Sequence, residues 1–320
     1  MPPVTAATYQ NPVYSGYFAD PFVLSHEGRF YGVGTGPTES GVLPTLQSDD
    51  FTNWKPGPGA LIPPTGYENG DFWAPEIAFR EGRFYLYYSV GLGHTGHHLR
   101  VAVSDRPEGP YRDSGHPLLD PASTPFAIDA HPFCDANGRW HLFYARDIVE
   151  GNRPGTSLVV APLDDPLHIG TDFHIVARAN FDWQLYERDR LMPQYGADRF
   201  HWHTLEGPFA VPHDGKLYLL YSGGNFQNAT YGVDFLTADS VYGKYEDSND
   251  GNAARVLRTV PGHVIGPGHN SVATGPNGVE YVVYHAWDTA LTARRLCVDP
   301  LDWTPDGPRC TPTWTPQPLR

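Results

Sequence analysis

Five times along the chain, a turn ending in glycine is followed by alternating aromatic and aliphatic residues. The copies read "HEGRFYGVGTG", "REGRFYLYYSV", "ANGRWHLFYAR", "HDGKLYLLYSG" and "PNGVEYVVYHA", with turn glycines Gly28, Gly82, Gly138, Gly215 and Gly278. Each glycine follows Glu, Asp or Asn, the chemistry of a tight hairpin turn, and a period of two after it is that of a half-buried strand. The pattern therefore predicts five hairpins. A second repeat, "SDRPEGPY" and "ADSVYGKY", places Asp, then Gly, then an aromatic at the same offsets, as outer strands with their exit turns would. The turn glycines fall 54, 56, 77 and 63 residues apart. Such spacing suits four-stranded sheets arranged radially and predicts an all-β, five-bladed β-propeller, a single domain over residues 1–320. The wide third interval holds an insertion of about twenty residues between Asp147 and His203. A β-sandwich would leave five matched units unexplained, and no stretch has helical periodicity beyond a turn or two.

Composition agrees. With 34 Gly and 32 Pro in 320 residues, turn formers are well above their usual share, and 13% of residues are aromatic. The net charge of -14 and the lack of any Lys/Arg run argue against nucleic acid or an anionic membrane as partner and favour a neutral or cationic small ligand. Cys134, Cys297 and Cys310 lie far apart with no CxxC, so neither a disulfide framework nor a zinc cluster is implied, and a Cys297–Cys310 bridge is the pairing left open. The N-terminus lacks a basic segment leading into an apolar one. The chain as given reads as cytoplasmic or as a mature, secreted form whose leader has been trimmed.

The polar residues ahead of each turn carry the candidate chemistry. Asp20 lies eight residues before Gly28, while Asp129, Glu206 and His269 lie nine before Gly138, Gly215 and Gly278; Glu76 is six before Gly82. Innermost propeller strands run side by side along the axis, so residues leading them converge on one end of the channel. Clustered carboxylates repel one another and raise at least one pKa, which keeps one acid protonated beside an ionised base.

The motifs "ADPFV" with Asp20, "WAPEI" with Trp73, "IDAHPF" with Asp129, "TLEGPF" with Glu206 and "GPGHNS" with His269, closed by "RRLCVDPLDWTPDGP", resemble the family 43 glycoside hydrolases. The likeness runs from about Tyr9 to Pro308. It implies an inverting hydrolase of arabinose- or xylose-containing glycans with Asp20 as general base, Glu206 as general acid and Asp129 tuning and orienting the acid. It also implies Arg295 at a sugar hydroxyl or the acid, with Arg294 as the alternative, and His269 beside a structural calcium; no organic cofactor is implied. Trp73 is expected as a platform for a sugar ring, Glu76 as a buttress, Trp202 and His203 as pocket walls, and Asn225 as a ligand contact. The "HTGHH" segment, His94 to His98, reads as an exposed loop. The favoured activity is an exo-acting α-L-arabinofuranosidase, with a β-xylosidase or endo-1,5-α-L-arabinanase as alternatives. A non-catalytic glycan-binding propeller has no need of three carboxylates.

Overall fold

The structure, a computed structural model, describes residues 7–196 and 198–320. Its regular elements are strands apart from two short 3-10 turns, Asp182–Gln184 and Pro193–Tyr195, and no helix among the described residues is long and apolar enough to cross a membrane.

The five hairpins are present. Each pairs an inner strand with the aromatic strand that follows it: Ala19–His26 with Arg29–Thr35, Asp71–Arg80 with Arg83–Leu92, Ala127–Cys134 with Trp140–Ile148, Asp198–His213 with Lys216–Gly223, and Ile265–Thr274 with Glu280–Trp287. A third antiparallel strand follows in every unit: Thr45–Ser48, Thr95–Ser104, Gly155–Asp165, Gly232–Ala238 and Arg294–Pro300. The turn glycines have φ between +76° and +78°. In the first, second and fourth turns the preceding Glu27, Glu81 or Asp214 is also left-handed, as a two-residue turn of the primed type requires.

Each inner strand lies against the next and the fifth against the first, closing a ring. The hydrophobic core is accordingly divided into five clusters, each between two successive sheets. Val33, Phe72, Ile77 and Leu86 pack between the first and second sheets, for example, and Val23, Phe30, Tyr281 and Val283 between the fifth and first. A sheet covered on both faces needs apolar side chains on both, which is why "RFYLYYSV" is almost continuously apolar. The third and fourth sheets are additionally joined by a parallel pairing of Gly155–Thr156 with His203–Thr204. Cys297 and Cys310 are buried as free thiols.

The insertion in the third interval supplies the strand Leu185–Met192, which pairs antiparallel with the start of Asp198–His213.

Candidate active site

One backbone device recurs in all five inner strands. The pairing jumps from Ala19↔Thr35 to Phe22↔Val33, from Trp73↔Ser89 to Glu76↔Tyr87, from Ile128↔Ala145 to His131↔Phe143, from Glu206↔Ser222 to Phe209↔Leu220, and from Gly268↔His285 to Ser271↔Val283. Two residues oppose one each time, a β-bulge that bends the strand and re-aims a side chain. The first bulged residue is left-handed in every unit: Asp20 (φ 49°), Ala74 (45°), Asp129 (61°), Gly207 (55°) and His269 (48°). A residue other than glycine is held there at a cost of about 1–2 kcal/mol. Three of those residues are the polar groups singled out by sequence.

The bulges correct the register read by counting back from the turns. The third and fifth turns are longer, closed by Gly138 N–H donating to the Asp135 carbonyl and Gly278 N–H to that of Gly275. Asp129 and His269 are therefore equivalent to Asp20, whereas Glu206 stands one residue earlier, in the place that Trp73 takes in the second unit. The left-handed position of the fourth unit is Gly207, which brings that backbone close to the His269 ring: a Cβ there would lie 3.3 Å from it.

Asp20, Asp129, Glu206, His269 and Arg294 line one cavity of about 220 Å³. Asp20 Oδ1 accepts a hydrogen bond from Arg294 Nη1 at 3.0 Å and lies 3.3 Å from His285 Nδ1 and 3.6 Å from His269 Nδ1. The Asp20 backbone N–H donates to His285 Nδ1, so that nitrogen carries no proton and the ring is the Nε2 tautomer. Burial alone would raise the Asp20 carboxyl, but Arg294 above all, with His269 behind it, outweighs it and holds its pKa well below the usual carboxylate range. Arg294 is itself fixed, Nε donating to Tyr17 Oη at 3.0 Å and the guanidinium lying 4.9 Å from the Phe226 ring centre.

The other two carboxyls are displaced the opposite way. Burial raises Glu206, reinforced by the charge of Asp20, against a hydrogen bond from Tyr231 Oη and the attraction of Arg294. Burial also raises Asp129, followed by repulsion from Glu206 and Asp20, although Gly207 N–H donates to its Oδ2 at 2.9 Å. Asp129 feels the charge of Glu206 directly, so ionising one of the two opposes ionising the other. The site thus holds one firmly ionised carboxylate and two that resist ionisation.

Trp73 is half-buried in the cavity wall, stacked flat on His97 at 3.6 Å between ring centres. Trp202 is buried and also lines the cavity, with Tyr195 stacked beside it at 6.3 Å. Four sequence-based expectations are corrected. Arg295 points away from the cavity, donating to the Ser15 carbonyl and to Asp288 Oδ2, because alternation along its strand turns Arg294 inward instead. Asn225 is used structurally: its Nδ2 donates to the Tyr186 carbonyl, and the neighbouring Phe226 lines the cavity. The His94–His98 segment is not simply an exposed loop, since His97 and His98 are buried in a strand and His94 reaches the cavity rim. His203 lies behind the wall, bonded to the His201 carbonyl and beside Arg153.

Glu76 stays out of the cavity. Its Oε2 accepts from His131 Nδ1 at 2.7 Å, and His131 Nε2 accepts from Ala210 N–H, so one imidazole links the second, third and fourth inner strands. The inserted segment contributes Tyr186, Arg190, Met192 and Gln194 to the cavity, none of which sequence reasoning found. Its strand, "LYERDRLM", is polar and largely exposed, so it carries no core-facing periodicity that could announce it.

No group of three or more His, Cys, Asp or Glu among the described residues is placed to hold a metal ion. Around His269 the carboxylate of Asp20 is already matched by Arg294, and an imidazole is a poor donor for a hard cation. The described side chains do not make a calcium chelate.

The model of the family described as Glycosyl hydrolases family 43 matches residues 9–308. The chain is 28% identical over 315 residues to a β-D-galactofuranosidase of Aspergillus niger, covering 90% of this chain and 80% of that protein. It is 26% identical to an extracellular exo-α-(1→5)-L-arabinofuranosidase of Streptomyces avermitilis, covering 89% of this chain but spanning only 57% of that protein's length. The crystal structure of a thermostable family-43 glycoside hydrolase superposes with a TM-score of 0.81 at 28% identity, covering 97% of this chain and 98% of that one.

Proposed function

The chain belongs to the glycosyl hydrolases family 43, and from that premise we propose that it is an inverting, exo-acting α-L-arabinofuranosidase built on a five-bladed β-propeller. The five sheets with closed inner strands support that architecture. The observation that carries the mechanism is the opposite displacement of the carboxyls facing one cavity.

Asp20, kept ionised by Arg294, acts as general base: it removes a proton from water as the water oxygen bonds to the anomeric carbon. Glu206, kept protonated by burial and like charge, gives its proton to the glycosidic oxygen as the bond from that oxygen to the anomeric carbon breaks. Asp129 holds the Gly207 peptide beside Glu206 and keeps the acid's proton from leaving. The turnover ends with Asp20 protonated and Glu206 ionised, and proton exchange with solvent resets both. Attack from the face opposite the leaving group inverts the anomeric centre. Exo action is supported by the inserted hairpin and by Phe226, which with Tyr186 and His94 narrows the rim; their ring centres lie 6.3 Å from that of Phe226.

A terminal β-D-galactofuranoside is the second reading, supported by the Aspergillus niger relative. Release of 4-nitrophenol from the α-L-arabinofuranoside, the β-D-galactofuranoside and the β-D-xylopyranoside discriminates these sugars, and proton NMR of the first-formed product reports its anomer. A retained anomer, or silence on all three glycosides, would overturn the proposal.

A further inference from the structure

The cavity holds a second set of polar side chains that the proposed acid–base chemistry does not use. Asp147 pairs with Thr156 across one pair of strands, and Thr156 with Thr204 across the next. Directly opposed residues share a sheet face, so the three form a row across three strands. Trp202, Thr204 and Glu206 alternate along one strand and share its face, so the row ends two residues from the proposed acid. All of these residues line the cavity.

Two atoms in the row lack partners. Asp147 Oδ1 and Thr156 Oγ1 are screened from solvent and bonded to no other group. The second Asp147 oxygen accepts from Tyr195 Oη at 2.7 Å, which fixes the carboxyl and leaves Oδ1 free. Buried polar groups are nearly always hydrogen-bonded, so an unpartnered carboxyl oxygen beside an unpartnered hydroxyl in a cavity wall calls for a ligand. Arg190 adds a donor, its guanidinium lying 4.8 Å from the Tyr186 ring centre and 5.9 Å from that of Trp202. An acceptor, a hydroxyl, a guanidinium and an indole are what a sugar ring needs: hydrogen bonds at its hydroxyls and an apolar surface for its C–H face.

The position of the row decides which sugar it meets. Asp20 is bound to Arg294 and His285, both from the fifth unit, whereas Glu206 stands on the fourth and the row continues from it into the third. Water arrives from the side of the base, and the departing oxygen leaves on the side of the acid. We propose that Asp147 and Thr156, with Thr204, Arg190 and Trp202, form the subsite for the leaving-group sugar. Asp147 and Thr156 are then specificity-determining residues, and the preferred substrate is a sugar linked to another sugar. This rests on the assignment of Asp20 and Glu206 above.

The test compares two substrates with the same sugar to be released, 4-nitrophenyl α-L-arabinofuranoside and α-1,5-linked arabinobiose, in wild type, Asp147→Asn and Thr156→Val. The ratio of kcat/KM for the disaccharide to that for the aryl glycoside is expected to fall about tenfold or more in Asp147→Asn, in keeping with a disrupted hydrogen bond at a buried polar group, and by a smaller factor in Thr156→Val. An unchanged ratio overturns the proposal: equal losses would put the row around the released sugar, and no loss would leave it without a ligand. A wild-type enzyme silent on both substrates would instead refute the arabinofuranosidase reading. The subsite is then judged by the same ratio for whichever of β-D-galactofuranose or β-D-xylopyranose the enzyme releases, from its 4-nitrophenyl glycoside and from its disaccharide. A fall of about tenfold in Asp147→Asn upholds it, and an unchanged ratio or silence on these as well overturns it.

Discussion

Asp20, Asp129 and Glu206 are chemically similar residues placed in different electrostatic surroundings by their neighbours. Asp20 faces a guanidinium and two imidazoles, while the other two face each other and Asp20 in a buried place. Glu206→Gln and Asp20→Asn should each lower kcat by about 10²–10⁴-fold, the usual contribution of a general acid or base. Survival of more than a tenth of the activity in either would remove that residue from the mechanism. Asp129→Asn removes the neighbouring carboxyl that competes with Glu206 for ionisation, so Glu206 should lose its proton at lower pH. The alkaline limb of the pH–kcat profile should therefore move toward acid, and a limb that stays in place would leave Asp129 a positioning role only. Stability should respond as well. A carboxyl whose folded pKa is raised stabilises the fold while protonated, and that contribution is lost as pH rises through the raised value. Glu206→Gln removes this dependence, so its Tm relative to wild type should increase between acid and mildly alkaline pH; a constant difference would argue that Glu206 is not raised.

The bulge is the element that turns a repeated strand into a site, and its stability is open to test. Gly268 precedes the left-handed His269, and a Cβ on it would lie 2.1 Å from the Tyr231 ring, whose hydroxyl donates to Glu206. Gly268→Ala must push that ring away, so it should cost roughly 1–3 kcal/mol, as overpacking usually does. It should also lower kcat through Glu206, with urea denaturation and kinetics as the two measurements. Normal stability and normal kcat together would show that Tyr231 does not hold the acid. The same element explains what was legible beforehand. The polar residues Asp20, Asp129 and His269 could be found because each leads a strand whose turn glycine is visible. Their register relative to Glu206 could not, because the longer third and fifth turns shift the count by one and leave no mark in the hydrophobic pattern. Arg294 and Arg295 are adjacent, and only the strand's pairing decides which faces inward.

At the scale of the whole molecule, the repeat made the fold legible, but the closure of the ring depends on residues outside any repeat. The N-terminal segment runs beside the last sheet, Val13 N–H donating to the Leu296 carbonyl and Phe18 N–H to that of Arg294. Thr8–Tyr9 pairs with Gln317–Pro318, so the first and last described strands meet there. Beneath them lies Asp299, fully buried. Its Oδ1 accepts from Tyr9 Oη at 3.1 Å and from Thr313 Oγ1, and its Oδ2 from Asn11 Nδ2 at 2.9 Å, Tyr284 Oη at 2.7 Å and Thr313 N–H at 3.1 Å. One carboxyl thereby ties the N-terminal segment, the last sheet and the C-terminal tail together. Asp299→Ala leaves several buried donors without an acceptor, each costing about 1–3 kcal/mol where water cannot reach. The expected result is a Tm lowered by at least about 5 °C in calorimetry of the full chain. Faster proteolysis within Thr8–Phe18 and Thr313–Pro318 should accompany it, because a ring closed by these two segments opens there first. A Tm within a degree of wild type would mean that apolar packing of Tyr9, Phe18 and Leu296 between the last and first sheets closes the ring without the clasp.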